Sequence, residues 1–137
     1  MTIDELIENF ELLGDWEERY AYLIDLGKKL PAMPEAHKND ATKVQGCMSN
    51  VWLYATTDEQ SPPRFRFEAD SDAFIVKGLV SLLLTVYAGH TAEEILAIDA
   101  EGMFDRLGLQ AHLSPTRANG LHAMVERIRA EAHSQTA

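Results

Sequence analysis

The sequence predicts a single α+β domain in which a small antiparallel sheet packs against helices. Its length of 137 residues suits one domain of ordinary size. Apolar residues recur with the helical period near both ends of the chain, whereas residues 51–68 follow the two-residue period of strands. No repeat, linker or low-complexity tract divides the chain. We therefore expect one domain that spans residues 1–137.

Two helices are predicted in the N-terminal part of the chain. Thr2 and Glu5 form a capping box at the start of the first helix, which should stop at Gly14. Asp15 should cap the second helix, which we expect to end at Leu30 before a proline. The apolar stripes of the two helices consist of Ile3, Leu6, Ile7 and Phe10, and of Trp16, Tyr20, Leu23, Ile24 and Gly27.

A long loop and a β-hairpin are predicted next. Residues 31–49 have mixed polarity and no clean period, and loops this long in compact domains are often functional. Strands over residues 51–56 and 64–68 should pair as an antiparallel hairpin, with residues 43–45 as a candidate for a short additional strand. The long loop carries three residues of chemical interest, Lys38, Lys43 and Cys47.

The most apolar segment of the chain predicts a central helix. Residues 70–72 offer several N-caps for a helix over residues 73–88, and Gly89 should close it. Apolar side chains, Phe74 among them, surround this helix almost completely. A helix of this kind belongs in the middle of the fold.

The C-terminal part predicts two further helices joined by a loop. Thr91 and Glu94 mark a short helix by their capping-box spacing, and Ser114 with Pro115 marks the start of the last helix. The loop between these helices should run through Met103, Phe104 and Leu109. The last helix should bury Leu121, Met124, Val125 and Ile128.

The formal net charge of −10 narrows the possible function classes. A field of this sign repels phosphate backbones, so we expect no nucleic-acid partner and instead a partner with a basic surface. The N-terminal residues are acidic rather than basic, and the longest apolar stretch, residues 73–88, contains Lys77 and is too short for a membrane span. We therefore expect a cytoplasmic protein without a targeting segment or a membrane partner.

Cys47 is the only cysteine of the chain, which excludes an internal disulfide and a multi-cysteine metal site. A lone cysteine is most often a small buried hydrophobic residue. However, Cys47 follows Gly46 and lies at the mouth of a predicted strand, outside any apolar stripe. A reactive thiolate needs a nearby cation or amide dipoles, for which Lys43 is near in sequence and Arg117 is a candidate in space.

The five histidines, His37, His90, His112, His122 and His133, show no metal-ligand spacing. His112 or His122 could pair with Cys47 as a Cys–His couple, although no local motif indicates it. The sequence has no glycine-rich phosphate loop, nucleophile elbow or HExxH motif. A stand-alone cysteine hydrolase or thiol peroxidase, and an acidic interaction module with an incidental cysteine, therefore stay open as alternatives.

Residues 44–53, with the sequence VQGCMSNVWL, resemble the active-cysteine segment of the SufE family, which contains sulfur acceptors that partner cysteine desulfurases. Three further pairs of segments agree in order and spacing, so the resemblance extends from about Phe10 to Ala130. They are WEERY and LGKKLP at residues 16–20 and 26–31, DSDA and IVKGL at 70–73 and 75–79, and HLSPTR and GL at 112–117 and 120–121. Ser49 and the Ser114–Pro115 pair are more similar to the SufE branch than to the CsdE branch.

The resemblance implies a fold similar to that of the IscU-type iron–sulfur scaffolds but without their metal, since those scaffolds need three cysteines. It also implies that Cys47 takes persulfide sulfur from a pyridoxal-phosphate desulfurase of the SufS type and passes it on for iron–sulfur cluster assembly. The protein would then act as a carrier and co-substrate without a cofactor of its own. A CsdE-type carrier for another sulfur-transfer pathway is the alternative.

The resemblance further implies roles for individual residues and partners. Arg117 would stabilise the anion at Cys47, against the alternative of a surface arginine in a loose salt bridge. Asp72 is first of all a candidate helix N-cap. A downstream iron–sulfur scaffold is a further partner that we expect, and the oligomeric state, for which a homodimer is one candidate, stays open. The residues expected to contact the desulfurase are Gly46, Met48, Ser49 and Asp72.

Overall fold

A computed structural model of the chain describes residues 2–46 and 50–136. The architecture is α+β, as the sequence predicts, with one antiparallel hairpin packed against helices. The elements in chain order are α1 (Ile3–Leu12), α2 (Trp16–Lys28), a 3₁₀ turn (Glu35–His37), β1 (Val51–Thr57), β2 (Phe65–Ser71), α3 (Phe74–Tyr87), α4 (Ala92–Ala97), α5 (Ala100–Leu107), α6 (Leu109–His112) and α7 (Pro115–Thr136).

The predicted starts of α1 and α2 are confirmed. The Thr2 side chain accepts a hydrogen bond from the Glu5 amide, and the Asp15 carboxylate accepts one from the Glu18 amide. Helix α2 ends at Lys28, two residues before the predicted end at Leu30. The reason is that the amides after Lys28 bond to carbonyls only three residues back, which tightens the last turn and stops the α-helix.

The central position of α3 is also confirmed, and a glycine lets α2 approach it closely. Gly78 lies directly against the carbonyl of Leu23, so closely that a Cβ at position 78 would overlap the carbonyl oxygen. Gly27 on α2 faces Lys77 and Gly78 in the same contact. Backbone-to-backbone packing of this kind needs residues without side chains.

The hairpin pairs Val51 with Ser71 at one end and Thr57 with Phe65 at the other. Val51 and Leu53 face the core, whereas Trp52 and Tyr54 lie on the opposite face of the sheet. The predicted additional strand at residues 43–45 is reduced to a single bridge between Lys43 and Trp52. On either side of this bridge, the Val44 amide donates to the Val51 carbonyl at 2.8 Å and the Leu53 amide donates to the Thr42 carbonyl at 2.8 Å.

The predicted cap of α3 is wrong. Asp70 and Ser71 belong to β2, and the Asp72 carboxylate is bonded to Asn50 rather than to the helix. The N-cap is Ala73, which makes no side-chain capping bond. Phe74, which the pattern assigned to a buried helix, is 66% exposed at the first position of α3.

The predicted loop through Met103, Phe104 and Leu109 is wrong as well, because α5 and α6 occupy this region. Asp99 caps α5 by accepting a hydrogen bond from the Gly102 amide at 3.0 Å. Gly108, with a φ of +73°, ends it in the left-handed conformation that favours glycine. The capping aspartate and the terminal glycine are both visible in the sequence. However, only eight helical residues lie between them, too few to show a clear helical period of apolar residues.

The last helix agrees with its prediction. The Ser114 hydroxyl oxygen accepts a hydrogen bond from the Arg117 amide, Pro115 is the first residue of α7, and the predicted stripe is buried. Across residues 2–46 and 50–136, no helix is long and apolar enough to cross a bilayer.

Gly78→Ala should destabilise the protein by about 1–3 kcal/mol or more, because the new methyl group meets backbone that cannot move aside cheaply. Urea unfolding measures this change in the free energy of unfolding. Gly14→Ala is the matched control, since a Cβ at position 14 has no described atom within 4 Å and should leave stability nearly unchanged. Equal stability of the two variants would contradict the close α2–α3 contact.

Candidate functional site

The predicted reactive residue belongs to the segment between Val44 and Val51, residues 45–50, which we call the Cys47 loop. The hydrogen bond from the Val44 amide to the Val51 carbonyl closes the base of this loop at 2.8 Å. Cys47, Met48 and Ser49 lie outside the described residues. The site is therefore described by the residues that hold the two ends of the Cys47 loop.

The N-terminal end of the loop rests against α7. Gly46 has a φ of +90°, which favours glycine, and an added Cβ would lie 3.3 Å from the Cβ of Ala123. Gln45 and Gly46 are both exposed. The glycine before the cysteine thus allows both a backbone with positive φ and a close approach to α7. Its contact with a partner stays a prediction.

The C-terminal end of the loop is bonded to Asp72 by three hydrogen bonds. The Asn50 amide donates to Asp72 Oδ1 at 3.2 Å, and the Asn50 side chain donates to Asp72 Oδ2 at 2.9 Å. In return, the Asp72 amide donates to the Asn50 carbonyl at 3.3 Å. Asp72, predicted as a helix cap or a partner contact, is thus an exposed residue that fixes the end of the Cys47 loop.

Arg127 on α7 holds the segment that leads into the loop. Its Nη2 donates to the Ala41 carbonyl at 2.5 Å and its Nη1 donates to the Lys43 carbonyl at 3.3 Å. Its Nε bonds to Glu131 Oε1 at 3.2 Å on the same helix. The sequence gives no signal for this role of Arg127, because no local pattern connects an arginine on the last helix with carbonyls more than eighty residues earlier.

The 3₁₀ turn covers the outer face of the hairpin with two basic residues. His37 stacks on Tyr54 with ring centroids 4.3 Å apart, and its Nδ1 lies 2.6 Å from Glu68. The next residue, Lys38, places its ammonium 5.5 Å from the Trp52 ring centroid.

Lys38 also joins an ion cluster on this face. Its Nζ lies 2.6 Å from the carboxylate of Asp70, a residue that pairs with Trp52 in the hairpin. The same carboxylate lies 3.3 Å from the Nζ of Lys77 on α3. The hydrogen bond with Asp70 raises the pKa of Lys38 above its ordinary value. Burial alone would raise the pKa of Asp70, but hydrogen bonds from Lys38, Ser71 and Lys77 lower it overall. The cluster ties the residue after the 3₁₀ turn, the hairpin and α3 together.

Arg117 is exposed, and within the described residues its guanidinium makes no hydrogen bond or ion pair. It precedes Ala123 by six residues on α7, which places it about 9 Å along the helix and about 120° around it. The face of α7 that touches Gly46 and residues 41–43 instead carries Ala123 and Arg127. A role of Arg117 as an anion stabiliser stays a prediction.

The two candidate partners for a Cys–His couple have other contacts. His112 stacks on Trp16 at a centroid distance of 4.0 Å and bonds through Nδ1 to the Gly108 carbonyl at 3.0 Å. His122 lies 3.4 Å from Glu101. In the described part of the chain, no group of three or more His, Cys, Asp or Glu residues could hold a metal ion.

Comparison with known proteins decides the family. Residues 4–132 match the domain described as "SufE: Fe-S metabolism associated domain". This chain belongs to the SufE family. It is 48% identical over 136 residues to an uncharacterized SufE-like protein of Rhizobium meliloti, with 98% of this chain and 96% of that protein covered. A second uncharacterized SufE-like protein, from Rhizobium etli, is 47% identical over 137 residues, with 99% and 93% covered.

A solved structure supports the fold. The solution structure of a hypothetical protein from Thermus thermophilus superposes with a TM-score of 0.78 and covers 99% of this chain and 98% of its own. Its sequence identity of 23% makes this a likeness of fold alone. The resemblance found in the sequence is thus confirmed at the level of the family, and membership in the SufE family suggests a sulfur-acceptor role alongside a cysteine desulfurase.

Arg127→Ala should loosen the base of the Cys47 loop, because residues 41–43 lose two charge-assisted hydrogen bonds. The Val44 amide donates to the Val51 carbonyl, and the Leu53 amide donates to the Thr42 carbonyl. We expect both amides to exchange with solvent about tenfold faster in the variant than in the wild type. Hydrogen exchange by nuclear magnetic resonance measures both amides.

The matched control for this change is Arg129→Ala. Arg129 also lies on α7 and donates to a carbonyl, but to that of Leu96 at the end of α4. Its removal should leave the exchange of Val44 and Leu53 as in the wild type. Equal effects of the two arginine variants on these amides would refute the positioning role of Arg127.

Asp70→Asn should destabilise the protein by about 1 kcal/mol at pH 7 and by less at pH 3. The folded pKa of Asp70 lies below its ordinary value, so its ion pairs stabilise the fold above pH of about 4 and are lost as the pH falls through the folded pKa. Urea unfolding of the wild type and the variant at both pH values tests this. An equal loss of stability at pH 7 and pH 3 would mean that the charge of Asp70 contributes nothing.

Proposed function

We propose that this protein takes persulfide sulfur from a pyridoxal-phosphate cysteine desulfurase onto Cys47 and passes it on for iron–sulfur cluster assembly. The observation that supports the proposal is how the chain is held on either side of its only thiol: Gly46 lies against α7, and Asn50 is bonded to Asp72. Gly46 on one side is exposed, as is Asp72 on the other. A second protein can therefore approach the loop.

The chemistry needs one thiolate and no oxidant. The Cys47 thiolate attacks the outer sulfur of the persulfide on the desulfurase, and a new sulfur–sulfur bond forms on Cys47. The sulfur–sulfur bond of the donor breaks at the same time, and the donor cysteine leaves as a thiolate. Because the chain has no second cysteine, the persulfide cannot resolve into an internal disulfide, so the outer sulfur leaves by attack of an acceptor thiolate from outside this chain, with the Cys47 thiolate as the leaving group.

The partners follow from this chemistry. The cofactor, pyridoxal phosphate, belongs to the desulfurase, which we propose to be of the SufS type, and this chain acts as a cofactor-free co-substrate in the cytoplasm. An iron–sulfur scaffold would accept the sulfur, and a CsdE-type pathway is the alternative destination. The net charge of −10 favours a donor whose docking surface is basic. Gly46, Met48, Ser49 and Asp72 are proposed to contact the donor, and Arg117 to stabilise the anion.

Cys47→Ser should abolish sulfur uptake and desulfurase stimulation without loss of fold. Intact-mass spectrometry after mixing the protein with a cysteine desulfurase and free cysteine should show the wild type heavier by one sulfur atom, reversibly on reduction. The serine variant should gain nothing, and its thermal midpoint should match that of the wild type. A mixture without desulfurase is the control. Stimulation by the serine variant equal to that by the wild type would overturn the mechanism.

A further inference from the structure

Phe74 combines a large apolar side chain with an exposed position. It is 66% exposed, and in the described part of the chain Leu12 on α1 is the other large apolar residue that lies mostly in solvent, at 82%. The rest of α3 buries its apolar residues, among them Leu79, Leu82 and Leu83. Phe74 is therefore the point at which the central helix of the fold presents an aromatic ring to the surface.

The fold places this ring beside the Cys47 loop. Val51 pairs with Ser71 in the hairpin, and three hydrogen bonds join Asn50 at the end of the loop to Asp72. Phe74 follows Asp72 by two residues, so their Cα atoms are within about 7 Å of each other. The backbone of Phe74 is therefore close to the C-terminal end of the loop.

Packing inside the chain does not account for the exposed ring. Aromatic side chains contribute to stability mainly through the area that they remove from water, and a residue that is mostly exposed contributes little of this. The first turn of a helix accepts small or polar residues at least as well as phenylalanine. Aromatic residues, phenylalanine included, are instead enriched in the buried centre of protein interfaces relative to the rest of the surface.

We propose that Phe74 is an apolar anchor for the cysteine desulfurase that docks over the Cys47 loop; this inference rests on the proposed function. Sulfur transfer brings the two reacting cysteines into contact, so the donor must cover the loop. A standard interface buries about 800 Å² on each partner, equivalent to a disc with a radius of about 16 Å. Such a footprint, centred on the loop, extends to Asp72 and Phe74.

The net charge of the chain favours a desulfurase over a second copy of this chain as the occupant. Two copies that each carry a net charge of −10 repel each other, whereas a donor with basic residues around an apolar pocket is attracted. Asp72 lies two residues from Phe74 and is exposed, so it adds a negative charge near the same contact while its carboxylate accepts hydrogen bonds from Asn50. The donor surface that fits is an apolar pocket with a basic rim.

Phe74→Ala should weaken binding to the desulfurase at least tenfold, because the ring loses its pocket. Isothermal titration calorimetry without free cysteine measures the affinity. In the desulfurase assay, the concentration of this protein at half-maximal stimulation should rise by the same factor, while the rate at saturation stays unchanged. Phe74→Leu should retain part of the affinity. Leu12→Ala, which truncates the other exposed apolar residue, is the matched control and should bind within twofold of the wild type.

The outcomes separate the anchor from the proposed function. Unchanged affinity of a folded Phe74→Ala variant would overturn the anchor, as would a Phe74-dependent dimer of this chain with desulfurase binding unaffected. If Phe74→Ala weakens binding but no sulfur reaches Cys47 in the wild type, the anchor stands and the sulfur-acceptor function fails. A wild type that does not bind the desulfurase would overturn both.

Discussion

The other elements of the fold are arranged around the buried helix α3. This helix is apolar on almost every side, so other elements must cover it from several directions, and its burial drives the fold. Helix α2 covers one side through the contact of Gly78 with the Leu23 backbone. The hairpin leads directly into α3, with only residues 72 and 73 between them. The position of α3 therefore determines where Asp72, and with it the end of the Cys47 loop, lies.

The Cys47 loop is held by residues from separate parts of the chain. Asp72 follows β2, and Ala123 and Arg127 lie on α7. These contacts fix the backbone on both sides of the cysteine through hydrogen bonds and close packing. Under the proposed function, such a support would let the segment that carries the thiol meet a partner while the chain on either side stays folded.

The local elements could be predicted from the sequence, because the residues that cap a helix or set the period of a strand lie within a few positions of one another. Thr2, Asp15 and Thr91 cap their helices through side chains that reach amides three residues ahead, and the two-residue period of the hairpin is a local property as well. The family resemblance was also readable, since it rests on short segments with fixed spacing. Helix α5 was missed because it is too short for its period to stand out beside its cap and its terminal glycine.

Which residues meet at the site depends instead on contacts between segments that are distant in the sequence. Asp72 has the sequence position of a helix cap but bonds to Asn50, since the fold brings the end of the loop to it before the helix begins. Arg127 reaches carbonyls that are distant in sequence, and Phe74 belongs to an apolar helix yet is exposed. Periodicity in the sequence indicates which side of an element is apolar. Whether that side is buried depends on which other segments cover it, and long-range packing determines those segments.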